Sequence, residues 1–180
     1  MAFKDMKTYQ NLIRAFACES EAYTKYNIFS DKARQDGFEQ MADIFAQTAL
    51  NELHHAEIWL RWLKGADQLP YTADNLIEAH SMEFQNGYLM YRQFSKTAKK
   101  EGCFALAALF DRIGEIERSH QERFSALSEN MDRVKVFCKD VPLTWVCSVC
   151  GHETRAECSP EVCPVCSKPQ SYTRLKAKNY

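Results

Sequence analysis

Glycine and proline are scarce in this chain, with 6 and 5 of 180 residues, and residues 1–64 hold one glycine, Gly37, and no proline. These residues interrupt helices, so their scarcity excludes a turn-rich first third. Apolar residues recur there at steps of three and four, the spacing of amphipathic helices. The sequence therefore predicts long helices in its first part.

An excess of charge of one sign and a long apolar run are also missing. The net charge is −1, with acidic and basic residues interspersed, so no field attracts nucleic acid or an anionic membrane. The longest apolar run, Cys103 to Phe110, is far too short to span a bilayer, and the N-terminus lacks the apolar segment of a secretory signal. We expect a soluble cytoplasmic protein with neither a nucleic-acid nor a membrane partner.

Cysteine is unevenly distributed, because five of the eight cysteines follow residue 140. Cys147 with Cys150, and Cys163 with Cys166, form two CxxC motifs twelve residues apart. Two such turns can bind one tetrahedral ion, iron or zinc. The tail is too small to form much of an apolar core, so metal binding would supply its folding energy. The remaining cysteines are interpreted as small buried apolar residues or idle thiols: Cys18, Cys103, Cys138 and Cys158.

Four helices are predicted before this tail. They span about 5–34, 37–64, 74–101 and 103–130, and the break between the second and third contains Pro70. The predicted fold class is an all-α four-helix bundle over 1–138, followed by a small metal-bound β and loop domain over 139–180.

The inward stripes of these helices contain carboxylates and imidazoles, which are costly to bury without a cation. The second and fourth helices each carry Glu-x-x-His, with both side chains on one face, and the first and third each carry a mid-helix Glu. This is the ligand set of a di-iron carboxylate bundle. The six residues are Glu19, Glu52, His55, Glu83, Glu117 and His120.

This order of motifs resembles the rubrerythrin family over almost the whole chain. The matching stretches are AFACES at 15–20, NELHHA at 51–56, Met90-Tyr91, AKKEG at 98–102, IERSHQERF at 116–124, WVCSVCG at 145–151 and PEVCPVC at 160–166. The resemblance implies a ferritin-like bundle with a rubredoxin-like C-terminal domain.

By the same resemblance, Glu52 and Glu117 would bridge two non-haem irons, and His55 and His120 would each face one iron. Glu19 and Glu83 would complete the set, with Tyr26 and Tyr91 donating hydrogen bonds to ligand carboxylates. The four CxxC cysteines would hold one further iron, and zinc is the alternative metal for that site.

One position departs from the family. The usual second carboxylate of the third helix is Asn86, followed by Gly87 in place of a bulky aromatic residue. The family's exchange between that carboxylate and the second-helix His cannot then occur in its usual form. His80, one turn before Glu83, is either an added ligand, a hydrogen-bonding neighbour of the site, or a solvated side chain.

The resemblance implies a peroxidase that reduces hydrogen peroxide to water in oxidative-stress defence. Electrons would arrive through the C-terminal iron from a reductase or a rubredoxin. One alternative, to which Asn86 gives weight, is a bacterioferritin-like ferroxidase or dioxygen-reducing protein. Another is a non-catalytic zinc-ribbon binding module on a metal-stabilised bundle.

The predicted link between the second and third helices is short for a ferritin-like bundle, in which these helices run parallel. Residues 65–73 span at most about 30 Å, roughly the axial distance to be covered. We therefore expect a homodimer that exchanges helix pairs, as some short-linker members of the family do; the competing solution is an unswapped bundle with shorter helices at this break.

Overall fold

The computed structural model describes residues 2–65 and 68–177. The chain divides into two compact units, Met1–Pro70 and Tyr71–Tyr180. The division falls in the predicted break between the second and third helices. Within the described ranges, no helix is long and apolar enough to cross a membrane.

The first unit is a helical hairpin. A short 3₁₀ helix, Phe3–Asp5, precedes α1, Lys7–Gln35, and α2 covers Glu39–Leu63. Gly37 turns the chain between the two helices with a φ of +85°, a conformation that glycine adopts without strain. Both helices match their predicted positions to within two residues at each end.

Small residues line the seam of this hairpin. Ala42, Ala49 and Ala56 recur every seven residues along α2 and are buried, as is Ser30 on α1, whose hydroxyl donates to the Ala42 carbonyl at 2.8 Å. Small side chains let the two helices approach closely.

Larger apolar side chains of the first unit stay exposed, because a pair of helices has only one seam in which to bury side chains. Those on the two helices are Ile13, Ile28, Phe29, Met41, Ile44, Leu50, Leu53, Ile58 and Trp62. The first unit therefore presents a wide uncovered apolar surface.

The second unit begins with a long helical segment that is not uniform. It runs as α3, Thr72–Met82, then a π-helix, Glu83–Leu89, then α4, Met90–Lys100. The helix predicted over about 74–101 is therefore present, but it contains a π-helix, which bonds residue i to i+5 and admits an extra residue into the turn.

The fourth long helix, α5, covers Phe104–Asp132 after a turn at Gly102, where φ is +78°. It packs against α3, the π-helix and α4. Small or buried residues lie at these contacts, among them Ala98, Ala107 and Gly114.

A strand module, which we define as residues 138–177, completes the second unit. Its strands are β1, Cys138–Cys147, β2, Glu153–Cys158, and β3, Thr173–Leu175, in the antiparallel order β2-β1-β3. Trp145 is 1% exposed and its indole N–H donates to the Ala156 carbonyl at 3.0 Å. The prediction of helices followed by a small strand and loop domain is confirmed.

Candidate metal centres

Four thiols converge in the strand module. The sulfur of Cys147 lies 3.7 Å from that of Cys166, and the sulfur of Cys150 lies 3.6 Å from that of Cys163. A tetrahedral ion with metal–sulfur bonds of about 2.3 Å holds its sulfurs about 3.8 Å apart. The four cysteines predicted from their spacing thus lie together at distances that fit one tetrathiolate ion.

The backbone of each CxxC turn favours thiolates. N–H groups of Cys150 and Val149 lower the pKa of Cys147 to about 6, and those of Cys166 and Val165 lower the pKa of Cys163. Although the N–H of His152 lowers the pKa of Cys150, burial and the neighbouring thiols together raise it to about 12. Four thiolates at one point therefore require a cation.

Glu19, Glu52 and His55 meet in the first unit. Their ligand atoms all lie within 4.8 Å of one another, and His55 Nδ1 is 2.8 Å from Glu52 Oε2. Position i+3 on α2 places the imidazole beside the carboxylate, and α1 contributes Glu19 from across the hairpin. The Glu52 side chain is 18% exposed and that of His55 is 52% exposed.

Glu83, Glu117 and His120 form the corresponding group in the second unit, again within 4.8 Å. His120 Nδ1 lies 2.9 Å from Glu117 Oε2 and 3.6 Å from Glu83 Oε2. The π-helix supplies Glu83 and α5 supplies the Glu-x-x-His pair. The six predicted residues thus form two triads of matching composition, one on each unit.

The donor chemistry of the triads suits iron. Each triad offers two carboxylates and one imidazole, so the two triads together carry four negative charges, which two divalent ions balance. Carboxylates can also change denticity or bridge two ions. The residues present therefore fit a di-iron pair.

Gly87 is buried beside the second triad, and its position explains why no bulky aromatic residue stands there. A Cβ added to Gly87 would lie 2.8 Å from Glu117 Cβ and 3.6 Å from Glu83 Oε2. Asn86, by contrast, is exposed. Gly87 therefore adjoins the Glu83 and Glu117 side chains. A glycine inside a helical pattern was the sequence signal for this close approach.

His80 lies outside both triads. Its Nε2 accepts a hydrogen bond from the Gln121 side-chain amide at 2.7 Å. Gln121 follows His120 in α5, so His80 is hydrogen-bonded to the neighbour of a candidate ligand. His80 is not itself one of the grouped ligand residues.

Tyr26 and Tyr91 lie in aromatic clusters on their own units. The Tyr26 ring is 6.2 Å from that of Phe45, and the Tyr91 ring is 5.9 Å from that of Phe110. Within the described part of either unit, neither hydroxyl donates to a triad carboxylate. Their role as donors to ligand carboxylates stays a prediction.

Two of the other cysteines correct an expectation. Cys138 and Cys158 are joined in a disulfide between β1 and β2. They are neither buried apolar residues nor idle thiols, because the antiparallel register places them opposite each other. Cys18 and Cys103 are free and exposed.

The pKa of Glu83 is raised, first by burial and then by its hydrogen bond and repulsion with Glu117, while His120 partly offsets both. A raised pKa in the folded state means that the neutral carboxyl stabilises the metal-free fold below the ordinary Glu pKa. This contribution disappears as the pH rises through the raised value.

We therefore expect the melting temperature of Glu83→Gln to rise relative to that of the metal-free parent chain as the pH increases from the ordinary Glu pKa through the raised one. Thermal unfolding of both metal-free chains across this range measures the difference. A difference that stays constant with pH would contradict the raised pKa.

Comparisons with known proteins match both the helical part of the chain and the strand module. Residues 10–128 match the family model described as rubrerythrin, and residues 145–172 match that of the rubrerythrin rubredoxin-like domain. Rubrerythrin-1 of Clostridium acetobutylicum is 36% identical over 99% of both chains. Rubrerythrin of Nitratidesulfovibrio vulgaris is 33% identical over 99% of both chains.

Among solved structures, one of nigerythrin in a partially reduced state is 28% identical. The match covers 97% of this chain and 91% of that one, with a TM-score of 0.36.

Proposed function

Because this chain belongs to the rubrerythrin family, whose members hold a di-iron site and a rubredoxin-like iron, we propose that it is a peroxidase of oxidative-stress defence. It reduces hydrogen peroxide to water with electrons that enter through the C-terminal iron. The observation that carries the proposal is the presence, in one chain, of two Glu/Glu/His triads and a tetrathiolate group. A one-electron carrier in the same chain as a di-iron ligand set can deliver electrons to that site. An iron-storage protein would not need such a carrier.

We propose that two triads would hold the iron pair, Glu19, Glu52 and His55 with Glu83, Glu117 and His120. Glu52 and Glu117 are the carboxylates that could serve both ions. An iron pair held by the triads would supply the two electrons that cleave the peroxide O–O bond, and an iron held by the four CxxC cysteines would supply electrons one at a time. The Glu-x-x-His spacing fixes each imidazole against a carboxylate oxygen. We propose that the Tyr26 and Tyr91 hydroxyls orient ligand carboxylates in the assembled site.

The tetrathiolate has an open edge where a donor can approach. Cys150 is exposed, and the apolar side chains of Val149 and Val165, within the two CxxC turns, are 52% and 65% exposed. An exposed apolar rim next to a redox centre suits a brief encounter with a protein donor. We propose a reductase or a rubredoxin as that donor.

We further propose that residues 1–138 form the di-iron domain and residues 139–180 the electron-entry domain. The boundary follows α5, which ends at Asp132, and lies at the start of β1. We place the protein in the cytoplasm, where paired CxxC motifs hold metal more often than disulfides.

Assembly of the iron pair requires both units, and we propose that two chains exchange them in a homodimer. Each unit carries one complete triad, and the first unit leaves large apolar side chains exposed. A second unit from a partner chain would cover that surface and bring the triads together.

The length of the connection supports exchange. Leu63 ends α2 eleven residues after Glu52, and Thr72 starts α3 eleven residues before Glu83. If α2 and α3 run parallel, as in ferritin-like bundles, their ends lie about 33 Å apart along the axis. The chain from Leu63 to Thr72 reaches only about 30–32 Å when fully extended. Closure within one chain would therefore leave no slack for sideways travel.

The electron-entry role predicts a specific uncoupling. Cys163→Ser removes one ligand from the tetrathiolate without touching either triad, so steady-state peroxide reduction driven by a protein donor should fall by at least about tenfold. A single peroxide turnover by the chemically reduced chain should persist. Equal steady-state rates in the variant and the parent would contradict the relay.

A second function, dioxygen reduction or ferroxidase activity, is favoured by Asn86. A neutral amide there cannot act as the exchanging carboxylate of the usual peroxidase. Side-by-side consumption of peroxide and dioxygen by the reduced chain decides between the two functions. Faster consumption of dioxygen would favour the second.

A further inference from the structure

Cys138 and Cys158 form a site separate from the tetrathiolate. They lie directly opposite each other on β1 and β2, with Cα atoms 4.0 Å apart, and their sulfurs are bonded. The Ser159 N–H donates to the Phe137 carbonyl at 2.8 Å, just outside the cysteines. The cysteines are therefore a non-hydrogen-bonded antiparallel pair, the arrangement in which side chains approach most closely.

The bond lies where the chain enters the strand module. The regular pairing of β1 with β2 begins at Leu143, opposite Ala156, so residues 139–142 bulge between this pairing and the cysteines. Without the disulfide, the end of β1 at Cys138 would rest mainly on the backbone bond between Phe137 and Ser159. The disulfide therefore fastens the entering chain to β2.

Ser159, the residue after Cys158, holds the end of β2 in place as well, and it is 3% exposed. Its carbonyl accepts a hydrogen bond from the Gln170 side chain at 2.8 Å, and Pro160 to Val162 then lead to the ligand Cys163. The disulfide closes a loop that contains Cys147 and Cys150 and ends just before the second CxxC turn. A covalent link here restrains both ligand pairs.

Cys158 is exposed and Cys138 is half-buried, so a small oxidant can approach this pair of residues. Disulfides in reducing compartments are mostly transient or redox-sensing, and exposed thiols are the ones that peroxide oxidises. The four CxxC thiols, by contrast, face one another around the metal position.

We propose that Cys138 and Cys158 are a peroxide-oxidised dithiol that locks the base of the tetrathiolate module. One thiolate attacks a peroxide oxygen, which breaks the O–O bond, forms a sulfenic acid and releases one water after protonation. The second thiol attacks that sulfur, which forms the S–S bond and releases a second water. Two thiols and one hydrogen peroxide become one disulfide and two waters. A thiol reductant reverses the change.

The consequence is slower metal loss in the oxidised chain. Metal escapes from an opened module, and a cross-link over residues 138–158 restricts the opened states. The oxidised chain should therefore give up a redox-inert metal, zinc, from its tetrathiolate to a chelator several-fold more slowly than the reduced chain.

The test begins with iron-loaded full-length protein, reduced without oxygen and freed of reductant. After brief exposure to hydrogen peroxide, free thiols are alkylated and the digest is examined by mass spectrometry. We expect a peptide pair linked through Cys138 and Cys158 that appears with peroxide and disappears with dithiothreitol. Alkylation of both cysteines, links to other cysteines, or a link that resists reductant would overturn the proposal.

Release of zinc from the zinc-loaded chain to a chromogenic chelator tests the lock, because zinc, unlike iron, keeps its oxidation state when peroxide is added. Cys158→Ser should abolish the difference between oxidised and reduced protein, whereas Cys103→Ser, which removes an exposed free thiol elsewhere, should preserve it. Cys138→Ser serves if Cys158→Ser does not fold. Equal release rates for oxidised and reduced parent protein would contradict the lock.

This inference is independent of the peroxidase activity. A Glu117→Gln chain, with a damaged triad, should form the same disulfide at the same peroxide dose. Failure of the disulfide there would tie the dithiol to the iron pair and overturn direct oxidation, while loss of peroxide turnover alone would concern only the proposed function.

Discussion

Two inactive chains should restore activity when they are refolded together. Glu52→Ala damages the triad of the first unit, and Glu117→Ala damages that of the second, so either variant alone should lose nearly all peroxide reduction. In an exchanged heterodimer, one site combines both damaged triads and the other combines both intact ones. An equal mixture should therefore recover about a quarter of the parent activity, because half of the dimers are mixed and half of their sites are intact.

The control for this experiment is to mix the two proteins without unfolding them, which should restore nothing if exchange requires unfolding. A second control co-refolds a Glu52→Ala chain with a His55→Ala chain, each of which carries its substitution in the first triad. This mixture should remain inactive, since every site then contains a damaged first triad. Co-refolded Glu52→Ala and Glu117→Ala chains that dimerise but stay inactive would contradict exchange.

Gly87→Ala should damage the second triad although it adds only one methyl group. The added Cβ would meet Glu117 Cβ at 2.8 Å and Cγ at 3.0 Å, and neither atom is the far end of a flexible side chain. The π-helix and α5 must separate, which moves Glu117. We expect a loss of about 1–3 kcal/mol in the free energy of unfolding and weaker binding of iron by the pair.

Gly114→Ala is the matched control. Gly114 is also a buried helical glycine, but its added Cβ would meet Tyr91 Cβ at 3.4 Å, an ordinary contact. Replacing a helix-interior glycine with alanine ordinarily stabilises by up to about 1 kcal/mol. Chemical unfolding and iron counts on both variants test the contrast. Similar effects in the two variants would mean that contact with Glu117 is not the cause.

Local patterns were enough to predict the helices and the CxxC turns. Helical periodicity and the scarcity of glycine placed α1, α2 and α5 to within about two residues, because these signals act over one or two turns. The spacing of Cys147, Cys150, Cys163 and Cys166 carries its own geometry, since each turn fixes two ligands.

Features that depend on an inserted residue or a distant partner were not predicted. The π-helix has no composition of its own, and only Gly87 hinted at a close approach. The pairing of Cys138 with Cys158 depends on the bulge at 139–142, which no periodicity reveals.

The most direct test of the peroxidase account is the visible colour of the iron-loaded chain, followed through one redox cycle without oxygen. The account predicts three irons per chain, a red colour that reductant bleaches, and rapid return of that colour on addition of hydrogen peroxide. In a Glu117→Ala chain, the colour should return much more slowly, because electrons then lack their path to peroxide. A colourless chain with zinc in its tail, or a parent chain that peroxide recolours no faster than the Glu117→Ala chain, would contradict the account.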